Sequence, residues 1–548
     1  MNSMNRRSVL LAGLGVASAG TLAACGDSSN TPALTSPSGP AVVAADKKRT
    51  STGRTHELTL TAARATVDLG AGTTASTWAF SGRMPGREVR LSAGDTLAAT
   101  LSNQLPDRAT TSVHWHGIAL RNDMDGVPPA TQDVVRAGRN FTYRFTADAP
   151  GTYFFHPHVG VQLDRGLYAP LIVEDPREPL SYDEEWVIVL DDWLDGVTGT
   201  PDEAFAELRR GMGGMHMGDD SGSSSSSSTS SGHEGHDMGD MGGMDMRDMS
   251  SDTGMTSSSP SPSSSGGMSM KFMMMGAQSP LLGGDAGDVR YPYHLINGRV
   301  PADPDVFRTR PGKRVRLRLI NAGGDTAYRV ALGGHKLTLT HTDGFPIRQQ
   351  QVDTVLIGMG ERYDALVTLD DGVFPLVALA EGKNAGGMAL VRTGSGGAPK
   401  PTTRPKELDG MITTAARLRA ADDVRLPTRK AERVHRIELT GSMMTYNWAI
   451  NGERFDMNNP TANPITVEEG ERVRLDFVNT TTMWHPMHLH GHTYQIGSGG
   501  PRKDTAIVLP KKTLSVFFDA DNPGQWMLHC HNAYHGEAGM MALVGYQG

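Results

Sequence analysis

At 548 residues, 38% of them hydrophobic, the chain is long enough for three or four domains with sizeable cores. A net charge of -8 and a pI near 6.2 argue against a nucleic-acid binder, so no nucleic-acid partner is expected. With only two cysteines, Cys25 and Cys530, the chain cannot carry a disulfide framework, and no disulfide is expected.

The chain opens with Asn5, Arg6, Arg7 and Ser8 before the apolar run Val9 to Leu22, and Leu22, Ala23 and Ala24 then lead into Cys25. A charged start, an apolar stretch too short for a membrane span and small residues before a cleavage point describe a signal peptide. The arginine pair resembles a twin-arginine signal, and LAAC resembles a bacterial lipobox whose cysteine becomes the lipidated N-terminus. Residues 1–25 are therefore expected to export the chain and anchor it by lipid at Cys25 to the outer face of the bacterial cytoplasmic membrane. Residues 26–52, rich in Ser, Pro, Thr and Ala, read as a flexible tether.

Short runs of Val, Leu, Thr, Ile and Phe punctuated by Gly, Pro, Asn and Asp give an all-β pattern. AGDTLAATLSN (Ala93 to Asn103), PGKRVRLRLIN (Pro311 to Asn321) and EGERVRLDFVN (Glu469 to Asn479) repeat one plan, a Gly opening an alternating strand that ends in Asn. Three copies predict three related β domains, placed at 53–176, 177–397 and 398–548. Gly94 and Gly312 stand 218 residues apart and Gly312 and Gly470 only 158, so the first interval holds an insertion of about 60 residues. Residues 211–275 supply it. They are Gly, Ser, Asp and Met, with 14 of the chain's 29 methionines, and cannot bury enough apolar surface to order themselves. Domains one and three share a further repeat, DAPGTYFFHPH (Asp148 to His158) and DNPGQWMLHCH (Asp521 to His531), which domain two lacks.

The chemistry gathers in His-x-His pairs: His114 with His116, His156 with His158, His488 with His490, and His529 with His531. On a strand, residues i and i+2 share a face, so each pair presents two imidazoles to one space. Eight imidazoles suit a cluster of about three metal ions with positions left open for a small ligand. Between the last pair sits Cys530, which alternation turns to the opposite face. Cys530, His535 and Met540 are three of the four donors of a blue-copper electron-transfer site, and His485, across Pro486 from His488, is expected to supply the fourth. His56, His294, His335, His341 and His435 lack such pairing and are expected to be ordinary hydrogen-bonded residues; His492 is left without a metal role.

In order and spacing, HWHG, HPH, HPMHLH and HCHNAYHGEAGM resemble the copper motifs of three-domain multicopper oxidases, from about residue 54 to the C-terminus. The resemblance implies three cupredoxin-like Greek-key domains and four copper ions. It implies a type 1 site of His485, Cys530, His535 and axial Met540, and a type 2 site of His114 and His488. The two type 3 sites would be His116, His156 and His531, and His158, His490 and His529. Electrons from a small one-electron reductant would enter at Cys530 and pass along its own strand to His529 and His531, where O2 is reduced to water. The resemblance also puts Asp125 near the oxygen site as a proton donor. Gly536 stands where many relatives carry a glutamate, and Glu537 follows it as the second candidate proton carrier.

Thioether sulfur selects Cu(I) over harder ions, and methionines spaced by Gly, Ser and Asp have no core to fill. The expected reaction is therefore oxidation of Cu(I) to Cu(II) for copper detoxification by a monomeric enzyme. Oxidation of phenols, as by a laccase, or of ferrous ion is the enzymatic alternative, and copper storage or delivery the non-enzymatic one.

Overall fold

The computed structural model describes residues 33–211 and 270–548. The expected signal peptide with Cys25, and nearly all of the Met-rich insertion, lie outside the described residues. Among these residues no helix is long and apolar enough to cross a membrane.

Three two-sheet β domains follow one another. Domain one faces a sheet ordered Thr73–Phe80, Thr55–Gly70, Asp95–Gln104, Asn140–Ala147 with another ordered Val89–Ser92, Ala169–Glu174, Gly151–His156, His114–His116. Domain two has two six-stranded sheets, and domain three a six- and a five-stranded one. The threefold repeat becomes the central strand of each domain. Asp95–Gln104, Arg314–Asn321 and Arg472–Asn479 each pair in parallel with their domain's first long strand and antiparallel with a later one. The repeated Asn has a shared task. Buried Asn103, Asn321 and Asn479 each donate two side-chain hydrogen bonds, of 2.7–3.1 Å, to main-chain carbonyls and accept one from the backbone two residues on. Each clamps the loop that leaves its strand, the competition for backbone groups that favours Asn at such exits.

Core packing joins the outer domains. One continuous apolar cluster runs from Leu60, Trp115 and Phe155 of domain one to Trp448, Met487 and Tyr534 of domain three, whereas the sandwich of domain two keeps its own, around Leu317, Tyr328 and Tyr363. Burial of this kind contributes about 25 cal/mol per Å² of apolar surface and fixes domains one and three as a single packing unit.

Three boundary expectations change. Of the expected tether, residues 33–52 are docked: Leu34 bridges to Gln547, Pro40–Asp46 form a short helix with Val42 buried, and Arg49 donates to Asp148 (3.3 Å) and Asn522 (3.0 Å). Two apolar anchors and one arginine outweigh the polar composition that had marked the stretch as loose. Domain two reaches past 397, to about residue 420, because Ile412–Thr413 adds a strand to Thr354–Ile357, and Leu408 and Leu418 bury in domain-two clusters. The insertion's described flanks leave the sandwich of domain two. Ala204, Leu208, Phe272 and Met273 join the cluster shared by domains one and three, so Met273, at the end of the insertion, is a core residue.

Candidate metal centres

Pairing register brings the histidine motifs together. His114–His116 runs antiparallel to Gly151–His156 with His114 opposite His156, and His485–Leu489 runs antiparallel to Gln525–Cys530 with His488 opposite His529 and Met487 opposite Cys530. The two hairpin-like pairs, one from each outer domain, face each other. Three sets of imidazoles result: His114, His116 and His488; His116, His156 and His531; His158, His490 and His529. Within each, one nitrogen per residue lies within 4.8 Å of the others.

The strand ends at Cys530, sooner than the sequence pattern implied. Asn532 then caps a short helix, Ala533–Ala538, its side chain accepting from the backbone of Tyr534 (3.0 Å) and His535 (3.1 Å). That turn swings His535 back beside Cys530. The thiol Sγ lies 3.6 Å from Nδ1 of His485 and 3.8 Å from Nδ1 of His535, with the two nitrogens 3.1 Å apart. Met540 is fully buried beside them, its amide donating to the His535 carbonyl and its carbonyl accepting from the Cys530 amide, both at 3.0 Å. Strand alternation still does what the sequence implied. Cys530 belongs to one donor set, and its neighbours His529 and His531 belong to two others.

The donor chemistry fits copper. Nδ1 of His114, His156 and His488 donates to the carbonyls of Asp125 (2.9 Å), Pro157 (2.8 Å) and Asp504 (3.0 Å). That pins each ring as one tautomer and leaves Nε2, buried with no hydrogen-bond partner, as a lone pair turned inward; Nε2 of His158 is equally orphaned. Burial first, and then neighbouring imidazoles, hold His116, His156, His490, His529 and His531 well below the usual histidine range, and His158 at about 3. Neutral imidazole is the ligating form. Two histidines with one cysteine is a donor set selective for a blue-copper centre.

Around these donors stand residues that spacing could not reveal. Asp125, expected in this region, does sit there: Oδ2 is 2.9 Å from Nδ1 of His490 and Oδ1 3.2 Å from Nδ1 of His114. Asp504, in the unremarkable RKDT stretch, contacts Nε2 of His116 at 3.2 Å and takes two hydrogen bonds from fully buried Arg362. Burial would raise the Asp504 carboxyl, but Arg362 holds it well below the usual range. Gly360, in the same loop of domain two, has φ +80, and a Cβ there would fall 2.8 Å from the His531 ring. Domain two thus touches the histidine cluster, and among the described residues none of its side chains joins a donor set. Asp288, just after the insertion, accepts from Nε2 of His535 at 2.8 Å; burial pulls that imidazole down, but the carboxylate more than offsets it and pushes it up to about 10.

Glu537 projects from the short helix into a small cavity of about 40 Å³ that it shares with His158, His529 and His531. Burial pushes its carboxyl up to about 7. His492 bonds Tyr546 Oη (2.7 Å) and His294 bonds Tyr328 Oη (2.8 Å); among the described residues neither they nor His56, His335, His341 and His435 enter a donor set.

Two packed outer domains that share clustered imidazoles, next to a His–Cys–His set, define a copper-binding oxidoreductase. The multicopper oxidase profiles match residues 61–178, 273–395 and 429–547, one per domain, and the chain belongs to the multicopper oxidase family. Multicopper oxidase MmcO of Mycobacterium tuberculosis is 44% identical over 97% of this chain and 95% of its own length. A copper resistance protein A homolog of Pseudomonas syringae pv. tomato is 27% identical over 85% of this chain and 88% of its own. Among solved structures, a multi-copper oxidase from Pseudomonas thermotolerans shares 25% identity with a TM-score of 0.63, covering 90% of this chain and all of that one. A laccase from Botrytis aclada, at 24% identity and a TM-score of 0.69 over 91% of this chain and 90% of that one, shares the fold.

Proposed function

We propose that the chain oxidises Cu(I) to Cu(II) and passes the electrons to O2, and that four coppers occupy the donor sets described above. The observation that carries this reading is the adjacency of the sets: Cys530 is in one, and its sequence neighbours His529 and His531 are in two others. His485, Cys530 and His535, together with Met540, would hold type 1 copper, and His114 and His488 type 2. His116, His156 and His531 would hold one type 3 copper, and His158, His490 and His529 the other. Copper bound in these sets stores one electron per ion, which matches the four electrons that reduce O2 to two waters.

The chain's own residues make that transfer directional. Cys530 is one peptide from both His529 and His531, so the path from electron entry to oxygen site is covalent. Asp125 fixes His114 and His490, and Asp504 fixes His116 and His488, one residue of each pair coming from domain one and one from domain three. Glu537, with its carboxyl near 7, would carry protons to the cavity it lines with His158 and His529.

Cu(I) is favoured as the substrate by two observations. Relatives carry the name copper resistance protein A. The residues flanking the Met-rich segment, Leu208, Phe272 and Met273, also belong to the apolar cluster that contains Cys530 and Met540. Glu207 accepts from the amides of Phe272 and Met273, each at 2.8 Å, and Phe205 packs on Tyr534, the neighbour of His535. Soft thioethers delivered there would concentrate cuprous ion at the point of electron entry. The Arg6–Arg7 pair and Cys25 support an exported, lipid-anchored enzyme on the outer membrane face, where O2 and copper meet. O2 uptake on Cu(I), on Fe(II) and on a phenol tests the reading. A storage protein would consume no O2, and a laccase would prefer the phenol.

A further inference from the structure

Where domains two and three meet, away from every donor set, a surface cavity of about 450 Å³ is lined by five arginines and no carboxylate. Arg348 and Arg419 come from domain two, Arg425 and Arg429 from the connector, and Arg472 from domain three. Nearby acids offset only part of this charge. Arg348 pairs with Asp422 (2.8 Å), Arg429 with Glu432 (2.9 Å) and Arg472 with Asp519 (2.7 Å), while Arg425 lies 3.6 Å from the Asp422 already used by Arg348. Among the described residues, the hydrogen bond Arg419 makes is to the Leu418 carbonyl at 3.3 Å, so its guanidinium has no acidic partner.

The same cavity is lined by the turn Gly497–Ser498–Gly499, with both glycines in the left-handed region at φ +51 and +73. Gly497 donates to Ser515 at 2.9 Å, but the amides of Ser498 and Gly499 find no backbone acceptor among the described residues. Successive amides in a left-handed turn form an anion-binding concavity, and guanidinium forks match phosphate oxygens bidentately. Both features line one cavity.

We infer that this cavity is a binding site for a phosphate-bearing anion carrying more than one phosphate group, or for the phosphate headgroups of anionic lipid, and that its occupant ties domain two to domain three. Its volume exceeds what a single phosphate fills. Because Arg348 and Arg419 belong to one domain and Arg472 to the other, occupancy bridges the boundary that the connector 421–431 crosses.

Titration calorimetry of the copper-loaded full chain with inorganic pyrophosphate, against sodium sulfate at matched ionic strength, tests the free-anion source. Co-sedimentation with phosphatidylglycerol vesicles, against phosphatidylcholine, tests the lipid source. Saturable binding of one pyrophosphate per chain, or capture by phosphatidylglycerol vesicles alone, is expected. The double variant R419Q/R425Q weakens it about tenfold or more, Arg348→Gln acts in the same direction, and R419K/R425K falls between. Failure of both probes, equal binding of sulfate, or a double variant that binds as tightly as the original chain overturns the inference.

Discussion

Arg362 of domain two grips Asp504 of domain three through two hydrogen bonds, Nη1 to Oδ1 at 2.7 Å and Nη2 to Oδ2 at 2.6 Å, while its Nε donates to the Thr152 carbonyl of domain one at 3.0 Å. One guanidinium therefore joins all three domains behind His116 and His488. Arg362→Gln strands a buried carboxylate, at a cost of about 3–5 kcal/mol. Copper affinity of the histidine cluster should fall about 10- to 100-fold, as when other partners of metal ligands are removed. Copper counting with electron paramagnetic resonance checks this, the type 2 signal being lost while the blue absorbance from the Cys530 site persists.

Asp288 acts on the other centre. Its carboxylate holds Nε2 of His535 and so turns Nδ1 toward Cys530 and His485. Asp288→Asn should weaken retention of type 1 copper about 10- to 100-fold against a chelator and shift the visible spectrum, with copper in the cluster unchanged.

Glu537, the proposed proton carrier, should give turnover a pH dependence. Because burial raises its carboxyl to about 7, the proton it can donate is present below that value and lost above it. Turnover should fall as pH rises through about 7. Glu537→Gln should remove that limb and lower kcat about a hundredfold, in line with the loss of general acid catalysis. A pH–rate profile of both proteins decides it.

Asp364 sets an acid limit on stability. Burial alone would raise its carboxyl, but Arg316 and Arg318 hold it at about 2. A folded value below the unfolded one contributes stability that is complete above the unfolded pKa of 3.8 and lost as pH falls from there toward 2. The contribution is about 2–3 kcal/mol. Thermal melting should be level at neutral pH and drop below about pH 4, and in Asp364→Asn the midpoint should start lower and change less across that window.

Removal of residues 212–269 tests the substrate. Oxidation of Cu(I) should lose rate while phenol turnover holds. Unchanged Cu(I) kinetics would detach the methionines from the reaction.

Much of this architecture was legible in the chain. The period-two His-x-His pairs and the twin PG-aromatic-His stretches carry the donor sets because a ligand pair must obey the strand's alternation, and that leaves a trace in sequence. Asp504, Arg362 and Asp288 leave none. Each acts through a tertiary contact to a residue in another domain or across a loop, and a lone Asp or Arg looks the same whether buried or solvated. Composition misjudged residues 33–52, where Leu34, Val42 and Arg49 dock a polar stretch, and the end of domain two, where Leu408 and Leu418, in residues expected to belong to domain three, bury in domain-two clusters. The placement of Glu537 depended on a strand that stops at Cys530, a break that the Asn532 cap explains.

The most direct measurement is copper per chain together with O2 uptake on Cu(I), in the wild type and in Cys530→Ser. The donor sets predict four coppers and a blue protein that consumes one O2 for every four cuprous ions. The variant should be colourless, with three coppers retained and uptake lost. A wild type that binds copper without consuming O2, or a Cys530→Ser protein that stays blue and turns over, would contradict electron entry at Cys530.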